Sequence, residues 1–306
     1  MENGEQLTKG EKIEFLTRIV EGEDYSADYW PVLREYLEYQ DAEVRSLALE
    51  GLWDYPMPEL ITTLFKIARN DPNQEVRSKA IVTLGRYIYE GDMADYDFDW
   101  GDMDDLMRED ELPEEDFLKV KDFLLELVRD DSQPLDSQRF AVEALSFLNE
   151  PEVQGLIEAA YAHPDVKMKV SAIFAMGRQG DQRWTNTLLK ELDNKVKELQ
   201  YEAVRAVGEA YLDAAAPRLK ELALVDDKAL QLEAIWSLGK IGGEGVSELL
   251  YDLADSEDKE IKEMAEAALD ELNLWAEDLM WDKLGQSDED SESWLAGEIT
   301  WPSSRA

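Results

Sequence analysis

An alanine recurs along this chain at a nearly fixed interval, and this constrains the fold more than any other feature. The positions are Ala48, Ala80, Ala141, Ala172, Ala203, Ala234 and Ala265. The last four steps are 31 residues each and the first is 32. Only Ala80 to Ala141 departs, at 61 residues, enough for one regular unit plus an insertion. The surroundings repeat too. Four residues after each alanine stands Leu52, Leu84, Leu145, Met176, Val207, Leu238 or Leu269. Three residues after it stands a small residue, Gly51, Thr83, Ala144, Ala175, Ala206, Ser237 or Ala268. Four residues before it come Val44, Val76, Met168, Leu199, Leu230 and Ile261. Offsets of −4, 0, +3 and +4 share one helical face. Small residues at 0 and +3 let a neighbouring helix approach closely. Gly85, Gly177, Gly208 and Gly239 follow, marking turns or tight packing near helix ends.

A second apolar-periodic stretch precedes each of these helices from the second onward: Pro58–Ala68, Glu114–Arg129, Glu152–Ala162, Trp184–Leu192, Ala216–Leu224 and Val246–Ala254. Pro58, Pro151 and Pro217 sit near the starts, where a missing backbone N–H costs little. Two helices per 31 residues predict an all-α chain, an α-solenoid of about seven helix pairs.

The segments Asp41-Ala-Glu-Val-Arg-Ser-Leu-Ala48 and Asn73-Gln-Glu-Val-Arg-Ser-Lys-Ala80 resemble the second helix of a HEAT repeat. The short period is similar to the HEAT-like repeats of the phycobilisome-lyase type. The resemblance covers about residues 28–272 and bears on fold far more than on activity. It implies a ladder of Asp and Arg between repeats. Asp41/Arg45, Asn73/Arg77, Asp165/Lys169 and Asp258/Lys262 match it, whereas Gln138, Gln200 and Gln231 depart from it.

Three segments are expected: an N-terminal cap helix within 1–27, the repeats over 28–272 with an acidic insertion at 90–116, and an acidic tail over 273–306. The insertion holds fourteen acids and one base, Arg108. Its Tyr96, Phe98 and Trp100 alternate with aspartates, a pattern read as an acidic docking loop whose carboxylates attract a basic surface while the rings fill pockets. The tail carries Trp275, Trp281, Trp294 and Trp301. Part of it is expected to extend and cap the last helix, and part to be disordered.

A binding face follows from the same geometry. If the alanine points inward, offsets −2 and +2 point about 160° away, given about 100° per residue. That side of the second helix lines the concave surface in repeats of this type and ought to be polar. Ser46, Ser78, Arg139, Glu50 and Glu143 obey. Val170, Phe174, Tyr201, Leu232 and Trp236, with Arg205 among them, do not, and they are the predicted partner-binding strip.

Charge narrows the partner. Acids outnumber Lys and Arg by 71 to 31, for a net charge of −40. Such a surface repels phosphates and anionic lipid, so neither nucleic acid nor membrane is expected, and another protein with a basic surface fits better. No cysteine is present, no long apolar run occurs, and the first ten residues are polar. A soluble cytoplasmic protein is the expectation.

Catalytic chemistry is not visible. The single histidine, His163, precedes Pro164 in an inter-helix turn, and one histidine excludes the paired His-Glu iron sites of the HEAT-repeat hydroxylase acting on deoxyhypusine. Gly239-Lys-Ile-Gly-Gly-Glu-Gly245 follows a helix rather than a strand, so it reads as a turn and not a phosphate loop. Asp95, Asp97 and Asp99 open like a calcium loop, but Trp100 and Leu106 stand where glycine and glutamate are needed. No metal, cofactor or catalytic residue is assigned. The expected function is a non-enzymatic scaffold or adaptor. The alternatives are a chromophore-handling protein like the phycobilin lyases and an acidic chaperone or mimic that binds basic proteins.

Overall fold

The computed structural model describes residues 7–22, 28–93 and 112–285. The described residues contain helices and turns and no strand. The chain divides into two compact units, Met1–Ala175 and Met176–Ala306. The first begins with α1 (Lys9–Val20), followed by the pairs α2/α3 (Trp30–Tyr36, Ala42–Gly51), α4/α5 (Ile61–Asn70, Gln74–Met93) and α6/α7 (Glu114–Arg129, Leu135–Leu145). Then come α8 (Pro151–Ala162) and α9 (Val166–Gln179). The second unit holds α10/α11 (Thr185–Glu191, Lys197–Glu209), α12/α13 (Ala216–Leu222, Lys228–Ile241) and α14/α15 (Val246–Ala254, Lys259–Gly285). These are helix pairs of an α-solenoid. In the first unit α1 packs on α3 as a second helix packs on the next, which makes it half a repeat.

All seven alanines have 0% exposure. At +4, Leu52, Leu84, Leu145, Met176, Val207, Leu238 and Leu269 are buried, and at −4 only Ile261 of the six aliphatic positions is not. Across the long Ala80–Ala141 step α5 packs directly against α7, and Phe65 of α4 stacks on Phe123 of α6 with centroids 4.0 Å apart. Helix covers both ends of the 90–116 segment, through Met93 in α5 and from Glu114 in α6. Its centre, with Tyr96, Phe98, Trp100 and the three aspartates, lies outside the described residues, as do Trp294 and Trp301.

The glycines explain the small residues at +3. A Cβ on Gly177 would lie 2.6 Å from the Ala206 Cα, and one on Gly239 would lie 2.6 Å from the Ala268 carbonyl oxygen. Gly85 meets Ala144 and Gly208 meets Ser237 in the same way. Each glycine thus faces the +3 residue of the next second helix, and backbone approaches backbone. Where that +3 residue is polar it hydrogen-bonds across the seam. The Thr83 hydroxyl donates to the Leu49 carbonyl and the Ser237 hydroxyl to the Val204 carbonyl, each at 3.0 Å.

The ladder implied by the family resemblance takes a different form. Arg45 does not pair with Asp41. It donates two bonds of 2.8 Å to Asp71, in the turn of the next pair, and two more to the Tyr39 and Gln40 carbonyls. Gln138, Gln200 and Gln231 occupy the equivalent place, and each donates to the carbonyl eight residues earlier, of Asp130, Leu192 and Ala223. Glutamine therefore keeps the bond that closes its own helix pair and gives up the one to the neighbour.

The acids expected in the ladder cap helices instead. Asp41 accepts from the Glu43 N–H, Asp165 from Lys167 and Asp258 from Glu260. Acids at these helix starts are also bridged to the first residue of the preceding second helix, three from the N-cap position and Asp136 from the first turn: Lys9–Asp41, Gln74–Asp136, Lys197–Asp227 and Lys228–Asp258. Hydrogen bonds from Lys9, Lys197 and Lys228 are the leading reason that Asp41, Asp227 and Asp258 are held below the usual carboxylate range. A carboxylate with a depressed folded pKa stabilises fully above its unfolded value of 3.8 and loses that contribution as pH falls through the lower folded value. Asp227→Asn is therefore expected to lower the melting temperature by a constant amount above about pH 5, with the gap to wild type narrowing as pH falls below about 4. Thermal melts from pH 3 to 7 check this, and a gap that widens toward acid would contradict it.

One turn is strained. Gly180 and Gly242 follow their helices with φ of 58° and 69°, and the equivalent residue after α11 is Tyr211, with φ of 50°. The left-handed region crowds any Cβ against the carbonyl. Tyr211→Gly is expected to stabilise the chain by about 1 kcal/mol, measured by urea denaturation.

Candidate functional site

Within the second unit, α11 and α13 lie side by side, and the face opposite their buried alanines carries four of the six strip residues predicted from sequence. Tyr201 is 37% exposed; Arg205, Leu232 and Trp236 are half-buried. Val170 and Phe174, also half-buried, lie on α9 in the Met1–Ala175 unit.

The face on α11 and α13 is not a bare apolar strip. Tyr201 donates its hydroxyl to Glu233 at 2.7 Å, across from α11 to α13. Burial first, and then Glu233, pushes the Tyr201 phenol up to about 12, so it remains a donor throughout the physiological range. Arg205 donates from Nε and Nη2 to one oxygen of Glu202, at 3.1 and 2.7 Å. Burial works to lower the Arg205 pKa, and Glu202, Glu209 and Glu233 outweigh it and raise it. Lys240 reaches back from α13 to Glu209 at 2.7 Å, and its ammonium lies 5.7 Å from the centre of the Trp236 ring. The predicted anchor Arg205 is thus already neutralised by a neighbour three residues away.

Glu202, Glu209, Glu233 and Lys240 were missed from the sequence. Glu209 and Lys240 did leave a signal, because they stand at the same offset, six residues after the alanine, in consecutive repeats. Glu233 left none, since a glutamate on an exposed helix face is ordinary in a chain with this charge.

On α3, α5 and α7 of the first unit the corresponding face carries ion pairs. Lys79 pairs with Glu50, and Arg139 pairs with Asp136 and Glu143 while lying 3.7 Å from the centre of the Phe140 ring. His163 sits in the turn before α9, where its Nδ1 accepts from the Asp165 N–H at 3.1 Å. The Gly239–Gly245 segment runs from the end of α13 into the turn before α14, with positive φ at Gly242, Gly243 and Gly245. Among the described residues no group of acids and histidine is placed to hold a metal ion, and no helix is long and apolar enough to cross a membrane.

A family model described as HEAT repeats matches residues 30–96, 153–230 and 197–270. Among solved structures, the complex of CpcE and CpcF of phycocyanin lyase from Nostoc sp. PCC7120 is similar, with TM-score 0.50 and 16% identity over 92% of this chain and 96% of that one. Yeast importin-beta, Kap95p, is similar with TM-score 0.51 and 13% identity, over 92% of this chain and 42% of that one. At these identities the likeness is one of fold. No curated protein sequence matches the chain.

Proposed function

This chain belongs to the HEAT-repeat family, and from that premise we propose that it is a non-enzymatic adaptor whose second-helix face, around Tyr201 and Trp236, grips a segment of another protein. A HEAT-repeat array is a scaffold of stacked helix pairs, and its outward faces are what it can offer a partner. The observation that carries the reading is the pair of solvent-reachable rings on α11 and α13, in a place where the family pattern calls for polar residues. Aromatic side chains lose little conformational freedom on binding and bury a large area, which is why they concentrate at interface centres. Phe174 and Val170 on α9 are proposed to contribute in their own unit.

Affinity capture with the full chain tests this. The Tyr201→Ala/Trp236→Ala double variant, checked by circular dichroism and an unchanged melt, is expected to lose the specific partners of the wild type. Unchanged recovery of every partner would overturn the site, and Phe174→Ala assayed separately reports on α9. A second reading follows from the lyase structure, which this chain matches over 96% of that chain's length: the same rings could hold an open-chain tetrapyrrole. An absorbance shift on mixing with bilin is expected only under that reading.

A further inference from the structure

The charges on the α11/α13 face do not balance, and the imbalance says what chemistry it takes. Three carboxylates stand there, Glu202, Glu209 and Glu233, with two cations, Arg205 and Lys240. Glu202 holds Arg205 and Glu209 holds Lys240. Glu233 is left with the Tyr201 hydroxyl as its hydrogen-bond partner and with no ion pair of its own among the described residues. It is half-buried, and Trp236 stands three residues further along the same helix. A carboxylate that is partly removed from water, hydrogen-bonded by one neutral donor and faced by Arg205 only beyond ion-pair distance gains from a cation in contact, and the gain is larger there than in open solvent.

We propose that this face receives an arginine side chain carried on a segment of the partner protein, its guanidinium bonded to Glu233 and lying against the Tyr201 and Trp236 rings. The assignment rests on the partner-binding reading above and supplies its chemistry. Three observations favour it. The second oxygen of Glu233 can accept while Tyr201 keeps the first. The Lys240 ammonium beside the Trp236 ring shows that this ring tolerates a cation next to it. The net charge of −40 draws basic segments in and repels acidic ones. A guanidinium fits better than an ammonium, because it is planar, stacks on aromatic faces and is more weakly hydrated.

The probe is a fluorescein-labelled Gly-Arg-Gly-Arg-Gly-Arg peptide, with lysine and glutamate counterparts, titrated onto the full chain by fluorescence anisotropy near physiological salt. The arginine peptide is expected to bind most tightly, the lysine peptide more weakly, and the glutamate peptide not at all. Glu233→Gln keeps an acceptor for Tyr201 and removes the charge, and it is expected to weaken the arginine peptide about tenfold. Asp252→Asn, an equal change of charge on α14, is expected to alter it less than about twofold. Equal losses in the two variants would mean attraction by the overall field and would overturn the arginine site. So would failure of the arginine peptide to bind. If peptide binding fails while Tyr201→Ala/Trp236→Ala still loses its captured partners, the arginine assignment falls and the adaptor reading stands. If Glu233-dependent peptide binding survives while capture is unaffected, the adaptor reading is the one that falls.

Discussion

Arg45→Ala is expected to destabilise the first unit by about 3–5 kcal/mol, because it leaves a carboxylate uncompensated in the interior. The side chains of Arg45 and Asp71 are 9% and 7% exposed, and their two 2.8 Å bonds are parallel and charge-assisted. The same guanidinium also satisfies two carbonyls in the turn that joins its own helix pair, so its loss opens both the pair and the joint to the next. The later repeats suggest the repair. Arg45→Gln/Asp71→Asn reproduces the glutamine arrangement of Gln200 and Gln231, while the introduced asparagine can still accept from the Asn73 N–H as Asp71 does. The double variant is expected to recover most of the loss, leaving a deficit of about 1 kcal/mol. Urea denaturation of the two variants and wild type measures the order, and a double variant as unstable as Arg45→Ala would show that the pair's charge is not what matters.

Gly239→Ala is expected to be nearly as damaging, at about 3 kcal/mol, although alanine is the better helix former. The added Cβ would meet the Ala268 carbonyl oxygen, Cα and Cβ at 2.6 to 2.8 Å, and backbone cannot step aside as a flexible side chain can. Helix α15 must then move away from α13, opening a seam closed by Leu238, Ala268 and Leu269. In a stack each repeat is held by its neighbours, so the damage is expected to be local. Hydrogen exchange should quicken in α14 and α15 while α3 and α5 keep their protection. A uniform loss along the chain, or none, would contradict the seam. Gly155→Ala, with nothing within 4 Å of its Cβ, is the matched control and is expected to be neutral or slightly stabilising.

Legibility differed sharply by position. Ala172, Ala203 and Ala234 could be placed in the core from spacing, because burial on one face of a helix imposes a period that any reader of the chain can count. Polar contacts between helix pairs were not readable in this way. Arg45 reaches Asp71 and not Asp41, and Tyr201 reaches Glu233, across 26 and 32 residues of chain. Which acid a long side chain meets depends on how closely two helices approach and on which rotamer the crowding leaves. Glycine and alanine at the seams set that approach, and the sequence shows only that they are small.

From its thirty-one-residue rhythm the sequence determined an all-helical stack, the residues at its seams and the face turned away from them, since a helix fixes directions locally through its own hydrogen bonds. It could not determine what that face holds. Arg205 is matched within its own helix, but only the packing of α11 against α13 decided that Lys240 is matched by Glu209 and that Glu233 meets a neutral hydroxyl. Charge pairing is settled by distances between helices, and those exist only once the chain has folded.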